Sequence, residues 1–540
     1  MKIPTMNSAI FGTKSFRVIV LACVAMILWA YYQTTYIHKE SALALLGKGE
    51  VAAELGKQNV FPRLTNARIE NFPYKHFVNH TAKDEYLRDV QNALPFLPVL
   101  FWKENENENL FYKNSSCAKF PNLYDLEYNN IFWQIFNTSN GTFYLFSAYY
   151  DVRNLTGVPS IRIQGVVNRQ RLPVVQTFCQ MWFPNRKEPV IEKVADSQVV
   201  WNFGGFNPKI MMPFMMTCRV PQSLANSVPV AVSLVEKFCD IASNSLRVIY
   251  NPADEPKKRF AVCVKYVDYT HEDVSVQLVE WVELLFILGA NKIYFYPLKV
   301  HENVHKVYEY YEKQSKAEIT WTMLPGKHPN AFGIQHYWFR DRVWQRSMDE
   351  LISYNDCLYK NMYKYDYIVP IDTDEVIIPV KHRDWIELLD MLSKEAKSDG
   401  KVTPTSYNAV NVYFPPNCYG HDKPYENIPS YMFMCQNTYR WSESPPGAAT
   451  KSFMDTGRVL AMHNHFPMRH LQAESRNYGI KVTDAKLHHY HSPDGLTYTS
   501  CAKMKPNMST DTTIWKYKEQ LIERTLTALY DLGFVDDPPA

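Results

Sequence analysis

In the middle of the chain, short apolar runs alternate with segments of helical spacing, and no other feature limits the fold as strongly. FAVCVKYV (260–267) reads as a buried strand. VSVQLVEWVELLFIL follows with apolar residues at 274, 278, 281, 282, 285 and 288, the spacing of a helix. KIYFYPL (292–298) is a second strand, VHKVYEYYEK a second helix and AEITWTML (317–324) a third strand. A helical stretch from Trp338 to Met362 then delivers the chain into DYIVPID. Strands separated by helices of this length need right-handed crossovers and a mainly parallel sheet, and such sheets bind ligands outside the carboxyl ends of their strands. The predicted class is α/β, over a domain at 259–520.

Upstream the rhythm differs. Residues 61–250 carry short aromatic and β-branched runs such as GTFYLFSAYYDVR and SIRIQGVVNR between polar turns, which predicts a β-rich accessory domain without a catalytic constellation. NPADEPKK (251–258), with two prolines and four charges, marks the boundary. With 540 residues and 46% hydrophobic content, the chain can fill two cores of ordinary size beside a short accessory region. Its 58 basic and 55 acidic residues are too evenly balanced for a phosphate-backbone binder, so nucleic acid is excluded as an expected partner.

The N-terminus predicts a topology. Residues 1–17 hold Lys2, Lys14 and Arg17 and no acid, and Val18 to Ile37 run without a charge. That length suits a transmembrane signal anchor, whereas the apolar core of a cleaved signal is only about 7–15 residues. The preceding basic residues and the cluster Trp29, Tyr31, Tyr32 and Tyr36 place the tail in the cytoplasm, residues 38–60 as a helical stem, and the rest in the lumen. Six N-x-S/T sequons, at Asn79, Asn114, Asn137, Asn140, Asn154 and Asn507, all follow the anchor. So do nine cysteines without a C-x-x-C pair, for which disulfides are the expected state, with at least one thiol left over.

Within YDYIVPIDTDEVIIP (365–379) the apolar run breaks onto Asp372, Asp374 and Glu375. Read as extended chain, the segment projects Asp372 and Asp374 to one side and Thr373 to the other. Two such carboxylates make a hard-oxygen site for Mg2+ or Mn2+ that leaves room for phosphate oxygens. One D-x-D is about the number chance supplies in a chain this long. Its position at the end of a buried strand, after a series of strand and helix alternations, is what singles it out.

YKYDYIVPIDTDEVIIP, together with NDCLYKNM (355–362), LVEWVELLFILGANKIYFY and FSAYYDVR (146–153), resembles glycosyltransferase family 92, over about residues 140–500. The resemblance implies a GT-A type, Rossmann-like fold and transfer, with inversion, of galactose from a UDP-sugar to a glycan acceptor such as a protein-linked N-glycan, by a single-pass type II Golgi membrane protein. By position it makes Asp372 and Asp374 the metal ligands that grip the UDP-sugar, with Mn2+ or Mg2+ as cofactor, and Glu375 the end of a D-x-D-E pattern. His489, in the pair His489-Tyr490, is the expected third metal ligand, with His465 as the alternative contact. Lys451 in ATKSF is expected to offset charge on the leaving phosphate. Inversion needs a base, for which Glu443, beside Tyr439 and Trp441 in a Pro-rich loop, and Asp356 are the candidates. Cys357 is expected in a disulfide or the core rather than as a nucleophile. Two competing readings are an inactive carbohydrate-binding or adhesion ectodomain and a metal-dependent phosphoesterase.

Overall fold

The computed structural model describes residues 83–536 except 106–116, 170–174, 185, 202–210, 254, 326–342, 399–401, 417–424, 475, 493–505 and 507. The tail (1–17), anchor (18–37) and stem (38–60), the sequons at Asn79, Asn114 and Asn507, and Cys23, Cys418 and Cys501 therefore lie outside the described residues. Among the described residues no helix is long and apolar enough to cross a membrane.

The aromatic and β-branched runs between Tyr128 and Ile249 form one ten-stranded sheet. Cys179, in the strand Phe178–Trp182 near one edge, is bonded to Cys218, in the strand Met212–Arg219 near the other, so the sheet folds over on itself. A second disulfide joins Cys117 to Cys239.

The alternating region forms a nine-stranded sheet. Its elements are β1 (Lys258–Tyr269), α1 (Ser275–Ile287), β2 (Lys292–Val300), α2 (Glu302–Lys313), β3 (Ala317–Ile319), α3 (Val343–Asn361), β4 (Tyr365–Pro370), β5 (Glu375–Pro379), α4 (Trp385–Ser398), β6 (Ser406–Tyr413), β7 (Lys451–Asp455), β8 (Asn477–Gly479), β9 (Ala485–His489) and α5 (Lys518–Asp531). The order β3-β2-β1-β4 is parallel throughout, and the sheet continues through antiparallel β7 and β6 to β9 and β5. The chain moves outward from β1 to β3 and then returns to β4 on the other side of β1. This reversal opens a crevice at the carboxyl ends of β1 and β4.

Alternation along β1 divides the layers. Phe260, Val262 and Val264 join the core with Leu278, Trp281 and Leu285 of α1 and with Val304, Val307 and Tyr308 of α2. Cys263 points the other way and is bonded to Cys357 of α3, so this cysteine is indeed in a disulfide. The third strand is shorter than the sequence predicts. After Thr320, whose N–H still donates to the Phe295 carbonyl (2.9 Å), the chain leaves the sheet, and the carbonyls of Met323 and Leu324 accept from Trp133 Nε1 (2.7 Å) and Asn130 Nδ2 (3.0 Å) of the ten-stranded sheet.

Helix α1 also carries Glu280, wholly buried, whose carboxylate accepts from the backbone N–H groups of Met434 (3.0 Å) and Cys435 (3.2 Å). Cys435 is the free cysteine among the described residues. Burial raises the Glu280 carboxyl from 4.5 to about 7, outweighing the N–H groups that favour its charge. An acid with a raised pKa in the folded chain adds stability at low pH. The contribution is full below about 4.5 and lost as the pH rises through about 7. The expected loss across that window is on the order of 3 kcal/mol. Glu280→Gln should remove this part of the pH dependence. Denaturation midpoints of wild type and variant that stay parallel from pH 4.5 to 8 would show that Glu280 does not titrate there.

Candidate active site

At the mouth of the crevice the chain turns instead of running on extended. The Glu375 N–H donates to the Asp372 carbonyl (3.0 Å), and the Asp372 N–H donates to Glu375 Oε2 (3.2 Å), closing a tight turn over Thr373 and Asp374. This corrects the extended reading: Pro370 ends β4, and β5 starts at Glu375 on another part of the sheet. Three further contacts hold the turn. Trp281 Nε1 of α1 donates to the Glu375 carbonyl (2.7 Å), the Tyr490 N–H to the Asp374 carbonyl (2.8 Å), and Thr373 Oγ1 meets the Tyr269 hydroxyl (2.5 Å).

The acids differ in what surrounds them. Asp372 Oδ2 lies 3.1 Å from Lys265 Nζ and 3.3 Å from Lys451 Nζ, and Oδ1 accepts from Tyr354 (3.1 Å). Burial would raise its pKa, but the two ammonium groups overcome burial and hold it far below the usual carboxylate range. Glu375 is buried, and burial raises its pKa although Lys451 Nζ stands 3.1 Å from Oε2. Asp374 is the open one, its side chain 42% exposed.

His489 faces this turn because β9 pairs antiparallel with β5 in a register that sets it directly opposite Glu375. Its Nε2 is 3.7 Å from Asp374 Oδ2 and its Nδ1 3.5 Å from Glu375 Oε1, and the ring stacks on Tyr413. Burial lowers the imidazole pKa, but the neighbouring carboxylates reverse this and raise it. His489 Nδ1 is buried without a hydrogen-bond partner. The open carboxylate of Asp374 and the imidazole Nε2 beside it fit a hard divalent cation in kind, with Glu375, next to Nδ1, placed to orient the ring from behind. Among the described residues, however, no three acidic, histidine or cysteine side chains are gathered as an ion's ligands, and Asp372 is paired with two lysines.

A cleft of about 450 Å3 opens beside the turn. Lys265, Arg346, Asp372, Asp374 and His489 line one part, and Val264, Val267, Val274 and Leu278 another. Its volume and its mix of an apolar wall with a few converging charges are those of a small-ligand site.

The family model of glycosyltransferase family 92 matches residues 258–525. This chain is a family 92 glycosyltransferase. No curated protein matches it significantly. Among solved structures, the crystal structure of S. aureus TarS 1-349 aligns at 11% identity with a TM-score of 0.23, over 51% of this chain and 72% of that one, a likeness too slight to support any argument.

The transferase brings Asp372, Asp374, Glu375, Lys451 and His489 together and leaves the other expected residues elsewhere. Lys451 is wholly buried, its ammonium spent on Asp372, Glu375 and Asn464. It neutralises the acids from beneath and does not face the cleft, which corrects its expected contact with a phosphate. His465 lies on the Lys451 side, with Nδ1 on the Thr450 carbonyl (2.9 Å), and burial lowers it to about 4, so it is neutral. Asp356 is corrected from candidate base to support. It is buried and takes the hydroxyls of Tyr149 and Tyr296 (2.6 Å) and the Lys360 ammonium (2.7 Å), which leaves it no reach to an acceptor. Glu443 remains at the right end of the sheet. Val412 of β6 pairs with His488 on one side and bridges to Glu443 on the other, about 10 Å across two strand spacings. Its carboxylate meets Arg440 (3.1 Å) and is 39% exposed.

Lys265, Glu350, Tyr354, Asn464 and Arg346 escaped the sequence reading. For Lys265 a signal existed, since it is the one charge inside the apolar strand FAVCVKYV. The others lie on a helix or in a turn whose facing only the tertiary structure reveals.

Removing Lys451 should orphan two buried acids, so Lys451→Met is expected to cost about 3–5 kcal/mol in denaturant unfolding. Adding Glu375→Gln should recover part of that loss. If the double variant were no more stable than the single, packing rather than charge would explain the role of Lys451.

Proposed function

We propose that this glycosyltransferase has a GT-A type catalytic domain and moves galactose from UDP-galactose to the glycan of a glycoprotein, an N-glycan being the first acceptor to test, with inversion at the anomeric carbon. The observation that carries the reading is the acid turn at the reversal point of the parallel sheet, with His489 across from it and an open cleft alongside. Ligands of open α/β sheets bind at such a point.

Asp374 and His489, with Asp372 adjoining, would hold Mn2+ or Mg2+, and the ion would supply charge for the diphosphate. Glu443 is the base we assign: it would take the proton of the acceptor hydroxyl, beside the aromatic rings of Tyr439 and Trp441 on which a sugar can pack. The apolar run 18–37 would anchor the protein in the Golgi membrane with this site in the lumen.

The test incubates the full chain with labelled UDP-sugars, Mn2+ and fucosylated N-glycan acceptors. Transfer should be greatest with UDP-galactose and stop in EDTA. Asp374→Ala and His489→Ala should abolish it while the chain stays folded. No transfer from any donor would defeat the proposal. Glu443→Gln should lower kcat about 100-fold or more with donor affinity unchanged, and an unaltered kcat would assign the base elsewhere.

A further inference from the structure

The segment that carries Glu443 is held from both sides. On one side the Trp441 N–H donates to the Tyr413 carbonyl (2.8 Å) and the Ser444 N–H to the Asn411 carbonyl (2.9 Å), which fastens it to β6. On the other, Tyr439 and Arg440 pair antiparallel with Thr510 and Ser509, and the Asp511 N–H donates to the Thr438 carbonyl (2.7 Å). This pairing brings Asp511 alongside the Arg440 side chain, whose guanidinium reaches three partners. Nε lies 3.1 Å from Asp511 Oδ2, one terminal nitrogen lies 3.1 Å from Glu443 Oε1, and the other donates to the Trp441 carbonyl (3.0 Å). With every nitrogen engaged, the plane of the guanidinium is fixed.

Asp511 is the firm end of this chain of contacts. It is buried, its Oδ2 accepts from Lys486 Nζ of β9 (2.7 Å), and its Oδ1 accepts from the N–H (3.1 Å) and the hydroxyl of Thr513. Burial would raise its pKa, but Lys486 and Thr513 outweigh burial and hold it well below the usual carboxylate range. Glu443 is the loose end, with one oxygen on Arg440 and part of its side chain open to solvent. Two cations, Arg440 and Lys486, balance two acids, Asp511 and Glu443. A guanidinium that faces one carboxylate alone favours its charged form and so weakens it as a proton acceptor. This one divides its charge between two, so it can orient Glu443 without claiming it.

We infer that Arg440 is a positioning residue for the base, holding Glu443 through one guanidinium nitrogen while Asp511 anchors another. The inference rests on the assignment of Glu443 proposed above. In the transfer, the bond between the anomeric carbon and the β-phosphate oxygen breaks and its electron pair stays on that oxygen. The acceptor oxygen bonds to the same carbon, and its proton passes to the Glu443 carboxylate. Of these events only the proton's passage depends on Arg440, so loss of the guanidinium should slow the step with the donor still bound.

Transfer kinetics of the full chain, with calorimetric titration of UDP in Mn2+ alongside, test this. Arg440→Gln should lower kcat about tenfold or more while UDP affinity stays within about twofold, which also shows that the variant is folded. Asp511→Asn should lower kcat in the same direction. Added to Glu443→Gln, Arg440→Gln should cost less than about twofold further, because a residue that acts through Glu443 then has nothing left to position. Arg440→Lys, which keeps the charge without the fork, should lose less than Arg440→Gln. Losses that multiply in the double variant, an unaltered kcat in Arg440→Gln, or equal falls in kcat and UDP affinity would overturn the positioning role while the base assignment stood. A Glu443→Gln variant with the wild-type kcat would instead defeat the base assignment and the positioning role with it.

Discussion

The site depends on a lysine ammonium that never reaches solvent. Asp372 and Glu375 sit where the fold needs a tight turn between two strands on separate parts of one sheet, and Lys451 makes their burial tolerable. Isolated carboxylates in such surroundings would take up protons or open the turn. Paired beneath with Lys451 and from the side with Lys265, Asp372 stays ionised. The strain of concentrating charge is thereby confined to one layer, and Asp374 and His489 are left above it as the adaptable part.

Helix α3 carries that arrangement to the rest of the molecule. Glu350 and Tyr354 serve the acid turn, while Asp356 and Tyr359 engage Tyr149 and Met215 of the ten-stranded sheet. Cys357 fastens the same helix to β1 two residues from Lys265. Arg153, held by Asp151 on the ten-stranded sheet, gives its guanidinium to the carbonyls of Thr456 and Val459, just past β7. Position at the acid turn is therefore set from both sheets at once.

Much of this was legible in the sequence, because periodicity reports burial. The runs 260–267, 274–288 and 292–298 became β1, α1 and β2, and the break in DYIVPIDTDEV marked the crevice. Turn geometry was misread, since alternation assumes an extended chain and nothing local in DTDE announces that Glu375 will bond the Asp372 N–H. Roles set by distant pairing were also out of reach. A buried Lys451 and a surface Lys451 look alike in ATKSF, and Asp356 in NDCL gives no sign that two tyrosines from two sheets will occupy it. His489 was found only because a resemblance pointed to it; its place opposite Glu375 comes from strand register, which a sequence pattern does not carry.

The hydrogen bonds from Trp133 and Asn130 to the carbonyls of Met323 and Leu324, with the Tyr149 contact to Asp356, bear on how such a chain can change over time. The Pro-rich segment at 251–258 looks like a seam along which two units could be exchanged. Mechanically it is not one, because the upstream sheet is a wall of the downstream site's own scaffold. A substitution at these contacts in one half is therefore felt in the other, through the packing around α3.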